Sequence, residues 1–314
     1  MLGSTQMAIA ELEGLAFVPA GRTFIGSFLD VGCSVDLLVD RYEVRYGLWE
    51  AWMGEDHSIP SAFRPGSRSA LRSGLSGQDS APPAGRVEPE AWTYEVPAVG
   101  ITLDDARRVA AKRGMRLLTF EEWLWCAVGP TCRRVPSGRR QRGFANTQDA
   151  QLSRTTPVGA FESGQTPEGI YDLLGNVWEW VEPPPERLRT WTVLNEAAWP
   201  SGTAVRAPTW VLGGSFLTAE STIFTRDYTL MAMAVTTGQR SIEIGARCCV
   251  DADVFLAALP ESAVLGGDER KRLRAVGARW GTRASSLCEE ILQAQPQNGW
   301  VLALLEGIRG GTVR

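Results

Sequence analysis

Ile170-Tyr171-Asp172-Leu173-Leu174-Gly175-Asn176-Val177-Trp178-Glu179-Trp180 sets two tryptophans, two carboxylates and a Gly-Asn pair inside eleven residues. That density suits a rigid, partly buried bend rather than a plain helix or strand. Gly175-Asn176 supplies the tight backbone: glycine enters positive-φ conformations freely, and the short amide of asparagine tolerates them. Asp172 and Glu179 bracket the turn. Trp178 and Trp180 are expected to project to opposite sides of the bend.

Outward from this run, residues 15–27 read as a strand, a Pro/Gly turn and a second strand. Residues 38–46 are extended and lead into a short helix carrying Trp49 and Trp52. Residues 54–92 form a loop insertion rich in Ser, Pro, Gly and Arg, where Pro60, Pro65, Pro82, Pro83 and Pro89 exclude a continuous helix. Thr102 caps a helix over 103–113 with Asp104 and Asp105 in its first turn, and Gly114 ends it. Thr119 caps the next helix, with Glu122 three residues on as a capping box. The basic run 133–142 reads as a solvated loop. Extended pieces return at 210–212 and 242–248. Past Asp251 the apolar spacing turns helical, with short amphipathic helices over 254–259, 269–276, 285–292 and 300–308. The organisation is a lead (1–14), a main domain (15–251) and a helical appendage (252–314). The appendage either covers the main domain or docks a partner.

Composition narrows the function classes. The 314 residues are 44% hydrophobic with a formal net charge of −4, so no basic surface favours nucleic acid or a membrane. No apolar run approaches the roughly 20 residues of a membrane span. The first residues lack the basic start and apolar core of a signal peptide, and a cytoplasmic location is expected. Cys33, Cys126, Cys132, Cys248, Cys249 and Cys288 form no CxxC pair and read as free, mostly buried thiols. Cys248 and Cys249 should face opposite sides of a strand.

Read in order, the pieces resemble the formylglycine-generating-enzyme (sulfatase-modifying factor) family. The resemblance runs through 17–21, Asp40-Arg41-Tyr42-Glu43-Val44, Pro97-Ala98-Val99-Gly100-Ile101-Thr102, Arg116-Leu117, Glu122-Trp123 and Thr156-Pro157-Val158-Gly159. It closes with Gly175-Asn176-Val177-Trp178-Glu179-Trp180, Gly213-Gly214-Ser215 and Gly245-Ala246-Arg247. It covers about 15–251 and implies an α+β, C-type lectin-like fold with irregular loops, opened by a hairpin. In such a fold Trp123, Trp178, Trp180 and Trp210 serve as aromatic anchors. Arg116 and Arg247 serve as ties to Glu122 or Glu179.

The resemblance also says what chemistry to look for. Active members carry two cysteines, three and eight residues after the serine of the Gly-Gly-Ser turn, which bind copper because soft thiolates select Cu(I). Here those places hold Thr218 and Ile223, so no copper is expected. An iron-dependent branch uses three histidines, and this chain has one, His57, in the loop insertion. No iron is expected either. The turn of active members holds a structural calcium, which carries over to Asp172, the carbonyls of Gly175 and Val177, and Glu179. By themselves the residues equally allow both carboxylates to pair with arginine or to accept backbone N–H groups. A second calcium site of the family involves an asparagine in the segment matching 145–147, without a clear acidic partner here.

The expected function is therefore a catalytically silent module that binds a protein or small ligand. Its face is the segment after Gly213-Gly214-Ser215, with Ser215, Phe216, Thr218, Glu220, Thr222, Phe224 and Tyr228. That segment also resembles the diversified region of retroelement-mutated C-type lectin proteins, and a signalling or defence complex is a compatible setting. The alternative is an oxidoreductase acting on a cysteine or thiol with a rebuilt site. For it the resemblance implies a redox pair between Cys126 and Cys248 or Cys249.

Overall fold

The computed structural model describes residues 5–25, 29–54, 59–65, 94–139, 143–183, 209–223, 232–261 and 263–311. Most of the loop insertion, His57, Phe224 and Tyr228 lie outside them. Helix α1 (Thr5–Glu13) leads into β1 (Leu15–Val18), β2 (Gly21–Ile25), β3 (Leu29–Cys33), β4 (Leu37–Asp40) and α2 (Tyr46–Met53). Next come α3 (Leu103–Lys112), β5 (Arg116–Leu117), α4 (Phe120–Val128), β6 (Trp178–Val181), β7 (Thr209–Leu212) and α5 (Glu220–Ile223). The chain ends with β8 (Ala232–Val235), β9 (Ile244–Ala246), β10 (Cys248–Asp251), α6 (Ala252–Ala257), α7 (Gly267–Trp280), α8 (Ser285–Ala294) and α9 (Gly299–Gly311).

The strands make two four-stranded sheets, ordered β1-β4-β10-β5 and β8-β7-β6-β9, and a two-stranded ribbon β2-β3. The β6-β9 pairing is parallel and the other pairings are antiparallel. β1 and β2 are both present where expected, but they do not form the expected opening hairpin. β1 pairs with β4 and β2 with β3, because all four β1 residues are buried while β2 alternates.

Both capping boxes form as read. Thr102 Oγ1 accepts from Asp105 N at 3.2 Å while the Asp105 carboxylate accepts from Thr102 N at 3.1 Å. Thr119 and Glu122 repeat the arrangement at 3.2 and 2.9 Å. Arg116 is tied to Glu122 at 2.7 Å, so β5 and α4 are pinned to each other at the cap.

Cys248 and Cys249 face opposite hydrophobic clusters, as alternation along β10 requires. Trp178 and Trp180 do not take opposite sides. Both enter one cluster while Val181 enters the other, because residues two apart on a strand share a face.

Residues 252–311 are not separately packed. Trp280, Trp300 and Leu304 share one cluster with Leu15, Phe17 and Leu38. The Trp280 indole N–H donates to the Leu15 carbonyl at 3.1 Å, and its ring lies 6.0 Å from that of Phe17. α7 and α9 approach so closely that a Cβ at Gly277 would stand 2.0 Å from the Leu304 carbonyl oxygen, and one at Gly307 2.0 Å from that of Arg274. The lead is a helix whose Ala8, Ile9 and Leu12 are buried in the same cluster. Among the described residues no helix is long and apolar enough to cross a membrane.

Candidate functional site

The bend at Gly175-Asn176 is a hub beneath the predicted ligand face, whose Phe216 N–H donates to the Asn176 carbonyl. Gly175 and Asn176 both take positive φ, 77° and 57°. Glycine is required at the first: a Cβ there would stand 2.4 Å from the Asn146 carbonyl oxygen. Asn176 spends its whole amide inside the fold. Its Oδ1 accepts from Thr156 N at 2.9 Å and Asn146 Nδ2 at 3.1 Å, and its Nδ2 donates to Glu43 Oε2 at 2.7 Å. The remaining Glu43 oxygen accepts from Val177 N at 3.3 Å.

Behind the bend, Arg247 and Glu179 form an ion pair with side chains 0% and 1% exposed. Arg247 Nε lies 3.1 Å from both Glu179 oxygens and Nη2 2.6 Å from Oε1. Its other hydrogens go to the carbonyls of Asp40 (2.9 Å) and Tyr171 (2.8 Å). The Trp123 indole N–H donates to Glu179 Oε2 at 2.6 Å. One guanidinium thus ties β4, the bend and β6 together.

Three buried carboxyls, Glu43, Asp172 and Glu179, surround this single cation. Burial, then the charges of Asp172 and Glu179, push the Glu43 carboxyl well above its usual range. Burial likewise pushes Asp172 up to about 6, against the Gly159 N–H and Arg247. Asp172 Oδ2 accepts from Gly159 N at 2.6 Å. Of the four predicted calcium ligands, then, Glu179 is engaged by Arg247 and Trp123, and Asp172 by a backbone N–H. These contacts fit the arginine tie and the backbone cap better than a cation. Asn146 Oδ1 is buried without a hydrogen-bond partner, the acceptor the second family site would use. Among the described residues, however, no three His, Cys, Asp or Glu side chains converge on a metal-sized site.

The predicted ligand face divides. Gly213 and Gly214 (φ 103° and 80°) turn the chain out of β7. Ser215 is fully buried, and its hydroxyl donates to Glu243 Oε2 at 2.5 Å. Phe216 is also buried, its N–H bonded to the Asn176 carbonyl at 3.0 Å. These two residues are interior supports and present nothing to a partner. Thr218 is half-buried; its hydroxyl accepts from Ser215 N at 2.9 Å and its carbonyl from Gln148 N at 3.1 Å. The half-buried Glu220 accepts from Thr147 Oγ1 at 3.5 Å, and its N–H donates to Asp149 Oδ2 at 2.7 Å. Thr222 is exposed. Of the predicted set, Thr218, Glu220 and Thr222 reach the surface together. Sequence reasoning met Glu43 and Thr156 only as parts of family motifs and Asn146 only as a match to the family's second calcium segment; their role as partners of Asn176 comes from tertiary pairing.

All six cysteines are free. Burial pushes the Cys33 and Cys288 thiols up to about 12 and also raises those of Cys126, Cys248 and Cys249. Cys126 and Cys249 share a cluster but are not bonded. A cleft of about 340 Å³ opens beside α1 and α2, but the Arg113 in its floor is already paired with Asp40 and Glu11.

Residues 10–252 match the sulfatase-modifying factor enzyme 1-like domain. A stretch of this chain is 38% identical over 99 residues to the inactive C-alpha-formylglycine-generating enzyme 2 of Bos taurus, covering 28% of this chain and 33% of that protein. Another is 36% identical over 100 residues to the hercynine oxygenase of Mycolicibacterium smegmatis, covering 30% and 23%. The chain thus spans about a third or less of these relatives' length. Among solved structures it is similar to Treponema denticola variable protein 1, with TM-score 0.50, 17% identity and coverage of 76% of this chain and 94% of that one. At that identity the likeness speaks for the fold, which is C-type lectin-like.

Proposed function

Because the chain belongs to the sulfatase-modifying factor enzyme 1-like family, we propose that it is a non-catalytic member, a recognition module that binds a protein or small ligand. The surface is the rim around Thr218, Glu220 and Thr222; Phe224 and Tyr228, expected on the same face from the sequence, lie outside the described residues. The observation that carries this reading is the Thr218 hydroxyl. It stands where a copper-binding thiolate is expected and closes a turn onto Ser215 N at 2.9 Å. The second thiolate position is Ile223, which has no ligating atom. The hub beneath stays intact, so the scaffold persists without its metal chemistry and displays loops from a rigid core.

The inactive enzyme among the relatives supports this reading, and the oxygenase supports the alternative of an oxidoreductase with a rebuilt site. Weighing against the alternative, the thiols of Cys126 and Cys249 are held protonated by burial, and thiolates are what bind soft metals and exchange disulfides. The test is Cu(I) titration against a chromophoric chelator, on the wild type and on Thr218→Cys/Ile223→Cys. The proposal expects no stoichiometric site in the wild type and a new one in the double variant. A wild-type site abolished by Cys126→Ser or Cys249→Ser would overturn it.

A further inference from the structure

We propose that the chain carries an oxyanion site where Arg41, Tyr42 and Tyr171 meet Arg279 of α7, built to take a phosphoryl or sulfuryl group. It uses none of the residues of the rim at Thr218–Thr222 and stands or falls separately.

Backbone contacts assemble it. Arg41 N–H donates to the Gly14 carbonyl and Tyr171 N–H to the Arg41 carbonyl, both at 2.8 Å. From the C-terminal helices, Arg279 Nη2 donates to the carbonyls of Glu13 (2.8 Å) and Leu15 (3.5 Å), the two residues flanking Gly14. Both arginines are thus tied to one three-residue stretch, Arg41 through its backbone N–H and Arg279 through its guanidinium. The Arg41 guanidinium carbon lies 5.4 Å from the centroids of both tyrosine rings, which are 5.0 Å apart, and its Nε donates to the Gly169 carbonyl at 3.2 Å.

The charges do not balance. Among the described residues neither Arg41 nor Arg279 has a carboxylate partner; their contacts are carbonyls and ring faces, which cancel no charge. Arg279 Nε is buried with no hydrogen-bond partner. The nearby carboxylates are taken: Glu13 by Arg272 at 2.7 Å, Glu168 by Arg133 at 3.1 Å and Arg283 at 2.9 Å. Burial and then the charge of Arg41 bring Arg279 down to about 10, a cost a bound anion would relieve. A planar guanidinium offers paired donors that match two oxygens of one oxyanion, and phenolic O–H groups add single donors.

Isothermal titration with inorganic phosphate, phenyl phosphate and a phosphoserine peptide, at ionic strength held constant with chloride, tests the site. The proposal expects saturable one-site binding that Arg41→Gln weakens about tenfold or more, the scale of one charge-assisted hydrogen bond. Tyr171→Phe should weaken it by a smaller factor. Arg279 also holds two carbonyls, so Arg41→Gln and Tyr171→Phe, with unchanged circular dichroism, decide the matter. A preference for phenyl phosphate assigns a small ester and a preference for the peptide a modified protein; either upholds the site. No saturable binding to about 50 mM phosphate, or binding indifferent to Arg41→Gln, overturns it.

Discussion

Replacing Arg247 by methionine removes the single cation from a cluster of three buried carboxyls. Glu179 would keep only the Trp123 N–H, and the Asp40 and Tyr171 carbonyls would each lose a donor. Breaking a buried pair by deleting one partner costs about 3–5 kcal/mol, because the survivor is left as an uncompensated charge. Each carbonyl adds roughly 1 kcal/mol. A loss of about 5–7 kcal/mol follows, against a total stability on the order of 5–15 kcal/mol. The assay is urea unfolding with the midpoint and slope fitted separately, so that a change in compactness is not read as a change in stability. Glu179→Gln and the double variant complete a cycle in which the double loss should fall short of the summed single losses by about 2 kcal/mol or more. An Arg247→Met loss below about 1 kcal/mol would refute the tie. So would a wild-type melting temperature that EDTA lowers by several degrees and calcium restores, since Glu179 would then be serving a cation.

The pH dependence has a sign worked from Asp172. Its folded carboxyl titrates near 6 and its unfolded one near 3.8, so the folded state holds the proton longer, and stability is lost as pH rises between these values. At about 1.4 kcal/mol per unit the loss is about 3 kcal/mol. Asp172→Asn, whose amide oxygen still accepts from Gly159 N and whose residue type tolerates φ 55°, should flatten the slope in melts from pH 4 to 6.5 by the Asp172 share, the raised Glu43 carboxyl keeping a slope of the same sign. Gly277→Ala should cost more than about 2 kcal/mol in thermal unfolding, since the clash is with Leu304 backbone and neither helix can yield without reopening the core. Deleting 267–314 should give an unfolded or aggregated chain by circular dichroism and gel filtration, not a trimmed soluble domain, because Leu15 and Phe17 would lose Trp280. Thr119→Ala should cost about 1 kcal/mol by removing the cap of α4.

Local chemistry made much of this protein legible in its sequence. Gly175-Asn176 announced a positive-φ bend, Thr102 and Thr119 announced helix starts, and the ordered run of motifs announced the family and its fold. These signals are short-range, set by backbone sterics and by side chains bonding to their own turn, so one strand of sequence suffices to read them. The tertiary structure alone decided which strands pair: β1 goes to β4 rather than to its neighbour β2, because burial on both faces outweighs proximity in sequence. It alone merged 252–311 with the main core, since the apolar face of a helix does not name the surface it will cover. It also settled where charges go. Arg247 meets Glu179 across sixty-eight positions, Ser215 turns inward to Glu243, and Arg41 and Arg279 end beside the same three residues without a carboxylate partner among the described residues. Such meetings depend on the path of the whole chain, and no local pattern encodes them.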